Sequence, residues 1–363
     1  MATICLNMIV KNEAANIGRL FNSVKDFIDY FVIVDTGSTD NTREIIETFK
    51  DTVPGELHEM EWINFGWNRS ESVKLTKGKA DYILLLDADD TINIKNIEKF
   101  KDDLHGDGFH IHHNGSLDYT LPRLVNAKYD WRFVGVTHEY ITCPEPYTFN
   151  DQRELTINHH ADGGCRSDKF TRDIELLEQG IVAEPLNTRY HFYLAQSYKD
   201  IGNWEKAVEM YMKRSQMGGW SEEVYYCYYQ MIRGYIYLAT IKKVDTEGLM
   251  LSTLMKAAVI NPERVEALYE VIRYYRTTQQ YYKALPFTSH AITIPYPVNQ
   301  KLFIEREVYV WKLLDEISII QYWTSRYTEC KSNCRKLLMT GNLPTSQVDR
   351  VTSHIKFCDA MLN

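Results

Sequence analysis

The most chemically informative stretch is DYILLLDADD, residues 81–90, in which an apolar run ends abruptly in three carboxylates. The run at residues 83–86 has the pattern of a strand that is buried on both faces. Along an extended chain, Asp87 and Asp89 would point to the same side, with only the small Ala88 between them. Hard oxygen ligands at this spacing suit Mg²⁺ or Mn²⁺ and leave positions for water or phosphate. The alternative is a plain acidic turn, because Asp-x-Asp is a very short motif.

Strand and helix patterns alternate around this stretch. Strands are predicted at residues 3–10, 30–34 and 57–62, and amphipathic helices at residues 13–27, 43–49 and 68–76. Such alternation is typical of an α/β fold with a parallel sheet and right-handed crossovers. Ligands bind such sheets at the carboxyl ends of the strands, where Asp35 and Asp87 both lie.

The pattern changes twice in the rest of the chain. Short β-type runs between residues 109 and 165 predict a mixed or antiparallel section that completes the first sheet. From Asp168 onward the periodicity is almost wholly helical. Within it, three groups of small and large residues follow the spacing of degenerate tetratricopeptide units, although a generic helical bundle is the alternative. The first group is Leu194, Ala195, Tyr198, Gly202, Ala207 and Tyr211, the second ends at Ala257 and Pro262, and the third is Val271, Tyr275, Ala284 and Ala291.

Composition narrows the class of protein. A chain of 363 residues predicts two domains, and its net charge of -8 gives no basic footprint for nucleic acid. The seven cysteines are odd in number and include no CxxC pair, which argues against a disulfide framework or a zinc ribbon and favours reduced thiols in the cytoplasm. The first apolar run does not have the form of a signal peptide, and no run is long enough to span a membrane.

Six stretches, taken in order, resemble the family 2 glycosyltransferases of the GT-A fold, and especially members that carry helical repeats after the catalytic domain. They are CLNMIVKNEAANIG at 5–18, VDTGSTDNT at 34–42, GWNRS at 66–70, YILLLDADD at 82–90, GVTHE at 135–139, and 157–173 with its spaced His159, Lys169, Arg172 and Asp173. The expected domains are a GT-A domain at residues 1–185 and a tetratricopeptide-like helical domain at residues 186–363. Thr36 and Trp67 depart from the usual family pattern.

The resemblance implies an inverting transferase that uses a UDP-sugar and Mn²⁺ or Mg²⁺. It assigns the nucleotide sugar to Val10, Glu13, Asp35, Arg69, Asp87, Ala88, Asp89 and His138. The metal would be bound by Asp89, with Asp87 direct or through water, and by His159, for which a structural histidine is the alternative and His160 the substitute. The acceptor would be a glycan or a protein, and the helical domain would aid acceptor binding or form a homodimer.

Several roles depend on chemistry that the residue types allow. Asp35 can accept a hydrogen bond from the uracil imide N–H, and Arg69 can pair with a diphosphate or a carboxylate. Glu13 closes the first loop over the nucleotide or is an exposed cap carboxylate. Asp90 contacts the sugar or caps the next helix.

The base for inversion should come from the later, less regular segment, because it must lie across the sugar from the diphosphate. Glu139 fits this position, with His138 beside it to orient the carboxylate or contact a phosphate. Asp118 and Asp130 are the reserve candidates.

Two other functions compete with sugar transfer. Nucleotidyl transfer also uses paired aspartates and a metal, but it usually needs a basic triphosphate loop, and none stands out. A non-catalytic helical-repeat adaptor with an inactive nucleotide-binding domain is the second. A tyrosine-rich stretch could be an acceptor platform, but helix packing is the preferred interpretation. It comprises Tyr225, Tyr226, Tyr228, Tyr229, Tyr235 and Tyr237.

Overall fold

The computed structural model describes residues 1–114, 119–163 and 169–362. Two compact units divide the chain, one at Met1–Val182 and the other from Ala183 onward. The first unit is built around a mixed sheet, and the second is made of helices. This is the predicted fold class, an α/β unit followed by an all-α unit.

The first unit contains an eight-stranded sheet in the order β3-β2-β1-β4-β7-β6-β10-β5, and a separate two-stranded sheet of β8 and β9. Its strands are β1 (Ile4–Val10), β2 (Tyr30–Asp35), β3 (Gly55–Glu59), β4 (Tyr82–Leu85), β5 (Asp90–Ile94), β6 (Gly108–Asn114), β7 (Tyr119–Asn126), β8 (Arg132–Val134), β9 (Tyr140–Thr142) and β10 (Phe149–His159). Its helices are α1 (Ile17–Val24), α2 (Thr42–Phe49), α3 (Phe65–Lys74), α4 (Ile97–Asp102) and α5 (Lys169–Ala183).

The predicted parallel part of the sheet is confirmed. Strands β3, β2, β1 and β4 pair parallel with one another in that order. The predicted mixed part is confirmed too, because β7 pairs antiparallel with both β4 and β6, and β10 pairs parallel with β6 and antiparallel with β5. Strands β1, β2 and β4 are buried almost throughout, which explains their unbroken apolar sequences.

The segment that follows β4 differs from the sequence prediction. Asp87 to Asp89 do not continue an extended strand, so the expectation that Asp87 and Asp89 share one side by strand alternation is wrong. The chain turns instead, with the Asp90 N–H donating to the Asp87 carbonyl at 3.0 Å. The Asp90 carboxylate accepts from the Asp87 N–H at 3.0 Å. A side chain that bonds its own backbone in this way competes with strand pairing.

Several element boundaries also differ. Helix α1 begins at Ile17 rather than at residue 13, and Asn12 in the preceding loop has a φ of 57°. The third strand lies at Gly55–Glu59, ahead of its predicted place. Strand β5 was not predicted, because its residues DTINI carry little strand-like alternation and only the pairing with β10 defines it.

Helix α3 is fixed to the sheet by buried polar contacts. The side-chain amide of Asn7 on β1 donates to Ser72 Oγ at 2.8 Å, which explains the polar residue within an apolar strand. Asn64 caps the helix by accepting from the Trp67 N–H at 2.8 Å. The fully buried Asn68 accepts the N–H of Ile63 at 2.9 Å and so holds the segment before the helix. These contacts fix the backbone that carries Arg69.

The second unit consists of helices joined by short connections and one longer segment. They are α6 (Thr188–Asp200), α7 (Trp204–Gln216), α8 (Ser221–Thr240), α9 (Glu247–Ile260), α10 (Glu266–Thr277), α11 (Tyr281–Ala291), α12 (Leu313–Trp323), α13 (Tyr327–Met339) and α14 (Thr345–Leu362), with a π-helical segment at Val308–Lys312 before α12. Among the described residues, no helix has the length and apolar character that crossing a bilayer requires.

The predicted repeat units correspond to helix pairs. In the first pair, α6 and α7, the predicted apolar positions are buried and Gly202 takes a φ of +79° at the turn. The third predicted unit is the pair α10 and α11, with its four marker residues buried. The array between them is irregular because α8 extends over 20 residues. Most of the tyrosines on α8 lie in the core, as preferred from the sequence; Tyr225 and Tyr229 are fully buried.

Candidate active site

The carboxyl ends of the parallel strands meet at one cleft. Val10 ends β1, Asp35 ends β2, and Asp87 follows β4. The cleft has a volume of about 200 Å³ and is lined by Ile9, Val10, Lys11, Glu13, Thr36, Trp62, Phe65, Arg69, Asp87, Ala88, Asp89 and Arg172. Most of the residues that the sequence assigned to a nucleotide sugar therefore line a single surface, as expected at the strand ends of an open α/β sheet.

Asp87 is held by two guanidinium groups. Arg69 Nη2 lies 2.5 Å from Asp87 Oδ1, and Arg123 Nη2 lies 3.1 Å from Asp87 Oδ2. Burial alone would raise the pKa of Asp87, but the two arginines hold that pKa well below its ordinary range. The carboxylate is therefore charged and fixed in orientation at neutral pH.

Arg69 also reaches Glu139, which places that residue beside the cleft. Its Nε lies 2.8 Å from Glu139 Oε1, and both side chains are largely buried. Burial would lower the pKa of Arg69, but the carboxylates of Asp87 and Glu139 raise it above its ordinary value. A single guanidinium thus joins the strand-end carboxylate to the proposed base.

The backbone around Glu139 is set by two glycines. Gly135 has a φ of +117°, and a Cβ added there would lie 3.3 Å from Glu139 Cα. A Cβ at Gly66, in the first turn of α3, would clash with the Gly135 carbonyl oxygen. The Phe65 N–H donates to the Val136 carbonyl at 3.1 Å. Helix α3 and the loop that carries Glu139 are therefore in direct backbone contact.

A second group of potential ligands contains Asp89, Asp90 and His159. One ligand atom from each lies within 4.8 Å of the others. His159 Nδ1 is 2.8 Å from Asp90 Oδ1, and Asp89 Oδ2 accepts from the Gly163 N–H at 3.2 Å. When the Nδ1 proton is donated to Asp90, Nε2 carries the lone pair that a metal ligand needs.

The loop at residues 160–163 closes this group against α1. Arg19 forms a two-pronged ion pair with Asp162, at 2.7 and 3.0 Å, which lowers the pKa of that carboxyl. Asn16 donates to the Asp162 carbonyl and to Glu13 Oε2, both at 3.0 Å. A Cβ at Gly163 would lie 3.2 Å from Glu13 Oε1 and 3.3 Å from Asp89 Oδ2. Glu13 is thereby brought next to Asp89.

Asp35 is suited to accept a hydrogen bond from a ligand. Its Oδ1 accepts the N–H groups of Gly37 and Ser38 at 2.9 and 2.8 Å. Its Oδ2 is buried and has no hydrogen-bond partner among the described residues. The neighbouring Thr36 donates its hydroxyl to the Val10 carbonyl at 3.0 Å, so this departure from the family pattern is satisfied within the chain. An unpartnered buried acceptor is costly unless a ligand completes it.

The other candidates lie in different settings. His138 has a φ of 50° and its Nε2 lies 3.9 Å from Asp173 Oδ2, while Thr137 donates to the same carboxylate at 3.1 Å. His160 lies 2.9 Å from the Thr91 hydroxyl and is not one of the three grouped ligands. Asp130 is exposed and pairs with Lys77 at 2.9 Å. Asp118, the other reserve base, lies outside the described residues.

Sequence reasoning missed two residues beside the cleft. Arg123 on β7 clamps Asp87, and the only sequence signal was a lone cation within the strand-like run LPRLV. His113 on β6 is 1% exposed and stacks on Tyr119 with ring centroids 4.9 Å apart. Burial, together with Arg123 and His159, lowers the pKa of His113 to about 4. Its ring nitrogens have no hydrogen-bond partner in the described part of the chain.

The site can therefore perform three chemical tasks. Asp35 can accept an N–H from a planar heterocycle, and the Asp89, Asp90 and His159 group can hold a hard or borderline cation. Glu139 can accept a proton within reach of the cleft.

Comparisons with known proteins give several similar sequences and structures. The family model described as "Glycosyl transferase family 2" matches residues 5–167. The SPbeta prophage-derived glycosyltransferase SunS of Bacillus subtilis (strain 168) is 26% identical over 235 residues, covering 59% of this chain and 53% of that protein. The chain thus spans about half the length of that curated relative.

Two further comparisons concern one protein of Staphylococcus aureus. The poly(ribitol-phosphate) beta-N-acetylglucosaminyltransferase TarS of strain Mu50 is 30% identical over 79 residues, which are 21% of this chain and 14% of TarS. The crystal structure of TarS 1-349 in complex with UDP-GlcNAc has a TM-score of 0.34 and 15% identity, covering 77% of this chain and 91% of that one. Residues 5–167, most of the N-terminal unit, therefore match glycosyl transferase family 2, and an all-helical region follows that unit.

Proposed function

We propose that this chain is a divalent-metal-dependent, inverting glycosyltransferase that moves a hexosyl or N-acetylhexosaminyl group from a UDP-sugar to a glycan or protein acceptor. One observation carries the proposal. A single cleft is lined by Asp87, Asp89 and Arg69, and Glu139 contacts that same arginine. Asp87 in the proposed donor site and Glu139, the proposed base, thus contact the same guanidinium.

The nucleotide would bind at the carboxyl ends of β1 and β2. Asp35 Oδ2, which has no partner among the described residues, would accept the imide N–H of uracil. Val10 and Thr36 line the same cleft and would contact the nucleoside. The guanidinium carbon of Arg172 lies 5.0 Å from the centroid of the Phe65 ring, and Arg172 lines the same cleft, where it would face the diphosphate.

Asp89 and His159 would hold the cation, with Asp90 orienting the imidazole. The donor set of carboxylates and one imidazole fits Mn²⁺ or Mg²⁺, and their ligand atoms already lie within 4.8 Å of one another. A bound divalent cation would offset the negative charge that develops on the leaving diphosphate. Asp87 would be directed by Arg69 and Arg123 toward the ribose or toward the hydration shell of the cation.

Glu139 would act as the general base. The acceptor hydroxyl oxygen forms a bond to the anomeric carbon as the bond from that carbon to the diphosphate oxygen breaks, and UDP leaves. Glu139 takes the hydroxyl proton in the same step. Because the hydroxyl attacks from the side opposite the leaving diphosphate, this single displacement inverts the configuration. Arg69 holds the carboxylate in place at 2.8 Å.

The sugar class is supported by one relative, which is a beta-N-acetylglucosaminyltransferase. The panel of UDP-sugars described below therefore decides between a hexose and an N-acetylhexosamine. The helical unit would aid acceptor binding or dimerisation.

The test measures release of UDP by the full chain from a panel of UDP-sugars, first with Mn²⁺ and then with a chelator. We expect one or a few UDP-sugars to be turned over, and turnover to require the metal. A thermal shift with UDP and Mn²⁺ together, larger than with either alone, should accompany it. Asp130→Ala, which removes an exposed carboxylate, should leave both readouts unchanged and serves as the control. Metal-independent turnover would contradict the proposed role of the cation, and absence of UDP binding would contradict the donor.

A further inference from the structure

The last two helices of the second unit bring together a second, chemically different set of potential metal ligands. Cys330 and Cys334 lie one turn apart on α13, and His354 and Cys358 lie one turn apart on α14. Residues four apart occupy the same face of a helix. Each helix therefore presents two ligand side chains on one face, and the two helices pack against each other.

The distances fit a shared metal ion. One ligand atom from each of Cys330, Cys334 and His354 lies within 4.8 Å of the other two. Around a tetrahedral zinc ion with bonds of about 2.0 to 2.3 Å, neighbouring ligand atoms lie about 3.4 to 3.8 Å apart. Cys358 is buried in the same cluster as Cys330 and Cys334. A rotation of its side chain would bring a fourth ligand to the three whose ligand atoms already lie close together.

The cluster is enclosed and its thiols are reduced. Cys330, Cys334 and Cys358 are each 0% exposed and are free cysteines rather than disulfides. Leu337 and Val351 complete the buried set, so bulk water is largely excluded. A largely buried set of thiol and imidazole ligands from the protein is typical of structural zinc rather than of catalytic zinc.

His354 supplies an independent reason to expect a ligand. Its ring stacks on Tyr322 at a centroid distance of 5.8 Å, which fixes its orientation. Its Nδ1 is buried and makes no hydrogen bond within the described part of the chain. Leaving such a polar atom without a partner costs about 1–3 kcal/mol. Metal binding to the cluster would offset this cost if Nδ1 is the coordinating atom.

The ligand types select the metal. Three thiols and one imidazole are soft and borderline donors, which suit Zn²⁺ and disfavour Mg²⁺ and Mn²⁺. The proposed metal group of the first unit has carboxylates and one imidazole instead. The two groups would therefore take different ions from the same solution.

We propose that a structural Zn²⁺ joins α13 to α14, held by Cys330, Cys334, His354 and Cys358. On binding, each thiol loses its proton to solvent and the imidazole coordinates in its neutral form. The ion therefore cross-links two helices that are otherwise joined by a short connection, by packing and by the ion pair between Lys331 and Asp359. Affinity falls as the pH is lowered, because protons compete for the thiolates.

The experiment uses the full chain, purified under reducing conditions and supplied with Zn²⁺ or Co²⁺. We expect one tightly held Zn²⁺ per chain from this cluster by elemental analysis. With Co²⁺, we expect thiolate-to-metal charge transfer in the near ultraviolet and the intense visible bands of tetrahedral cobalt. X-ray absorption of the zinc form should show sulfur neighbours at about 2.3 Å and one nitrogen at about 2.0 Å.

Two variants and one control separate ligation from packing. Cys334→Ala and His354→Asn should each weaken Co²⁺ binding by about tenfold or more, as expected for loss of a ligand. Cys227→Ala removes another fully buried thiol of the same unit and should leave the cobalt spectrum unchanged. Asp89→Asn should also leave it unchanged, because that side chain belongs to the other group. X-ray absorption on the unaltered chain keeps the test valid if a variant fails to fold.

Several results would overturn the proposal. One is a reconstituted chain without thiolate charge transfer, and another is a zinc shell of oxygen and nitrogen only. A disulfide between two of the three cysteines in freshly purified protein would assign them to redox chemistry instead. Equal effects of Cys227→Ala and Cys334→Ala on Co²⁺ binding would show that the cysteines of the cluster only pack in the core.

Discussion

The carboxylates on the two sides of the cleft are held in different ways. Asp87 and Glu139 both contact Arg69, and Arg123 adds a second guanidinium to Asp87. Asp89 and Asp90 instead form a group with the imidazole of His159. A carboxylate fixed by arginines has its charge balanced by the chain itself, whereas carboxylates grouped with an imidazole form a ligand set for a cation from solution. The difference predicts that the two sides respond to different perturbations.

The largest effect is expected on the arginine side. Glu139→Gln keeps the size of the side chain but removes its ability to take a proton, so turnover should fall by about 10²-fold or more. UDP-sugar binding and metal affinity should stay within about twofold of the parent, because this residue is assigned to neither task. Rates of sugar transfer and calorimetric donor binding would be measured on the same preparation. If the donor is lost instead, Glu139 belongs to the donor site and the comparison fails.

The next effect tests the metal side. Asp89→Asn should lower the affinity for Mn²⁺ by about 100-fold, and Asp90→Asn, which weakens the orientation of His159 and the turn after β4, by about tenfold. Titration with Mn²⁺ followed by electron paramagnetic resonance gives both values. Asp130→Asn is the matched surface control. Equal losses for both variants would make Asp90 a direct ligand.

The protonation of His113 depends on one charged group from each side, Arg123 and His159, as well as on burial. Burial, with Arg123 and His159, lowers the pKa of His113 to about 4 from 6.5. The folded state disfavours the charged form of His113, so protonation favours the unfolded chain. The contribution of neutral His113 to the free energy of unfolding is therefore present above pH 6.5 and is lost as the pH falls toward 4. We expect a loss of roughly 2 kcal/mol at pH 5 relative to pH 7.5.

Denaturant unfolding at several pH values measures this effect. His113→Phe keeps the stacking on Tyr119 and should flatten the profile in that window, whereas the exposed control His105→Phe should not. A variant with the parent profile would show that His113 titrates normally.

The smallest effect concerns the second arginine. Arg123→Met leaves Asp87 with Arg69 alone, and should lower the free energy of unfolding by about 1–2 kcal/mol, in the range for hydrogen bonds to charged groups in a partly exposed setting. Arg132→Met, on the exposed part of β8, should change stability by less than about 0.5 kcal/mol. Chemical denaturation of both variants checks the difference. An unchanged free energy of unfolding in Arg123→Met would mean that Arg69 alone is sufficient to hold Asp87.

Much of the fold followed from the sequence because its signals are local. Continuous apolar runs gave the parallel strands β1, β2 and β4, and helical periodicity gave the second unit. The turn after β4 did not follow, since it depends on hydrogen bonds between Asp90 and the Asp87 backbone rather than on periodicity.

The parts of the sites that were missed depend on distant residues. Arg123 meets Asp87 across 36 positions, and no spacing rule links them. The cysteines of α13 and α14 were set aside because they lack a CxxC spacing, although ligands four apart share a helix face. The spacing of four residues between Cys330 and Cys334, and between His354 and Cys358, was therefore a sequence signal for a metal site.

The contact between Gly66 and Gly135 has a consequence for sequence variation. A side chain at Gly66 would clash with the Gly135 carbonyl, and one at Gly135 would meet a positive φ and the Glu139 backbone. Neither position can accept even alanine unless the loop at residues 135–139 moves. In a saturation library screened for activity, both codons should therefore remain glycine while the exposed Trp67 between Gly66 and Asn68 varies. The distance between Arg69 and Glu139 would then stay constant among active variants, while the exposed side chain at position 67 varies.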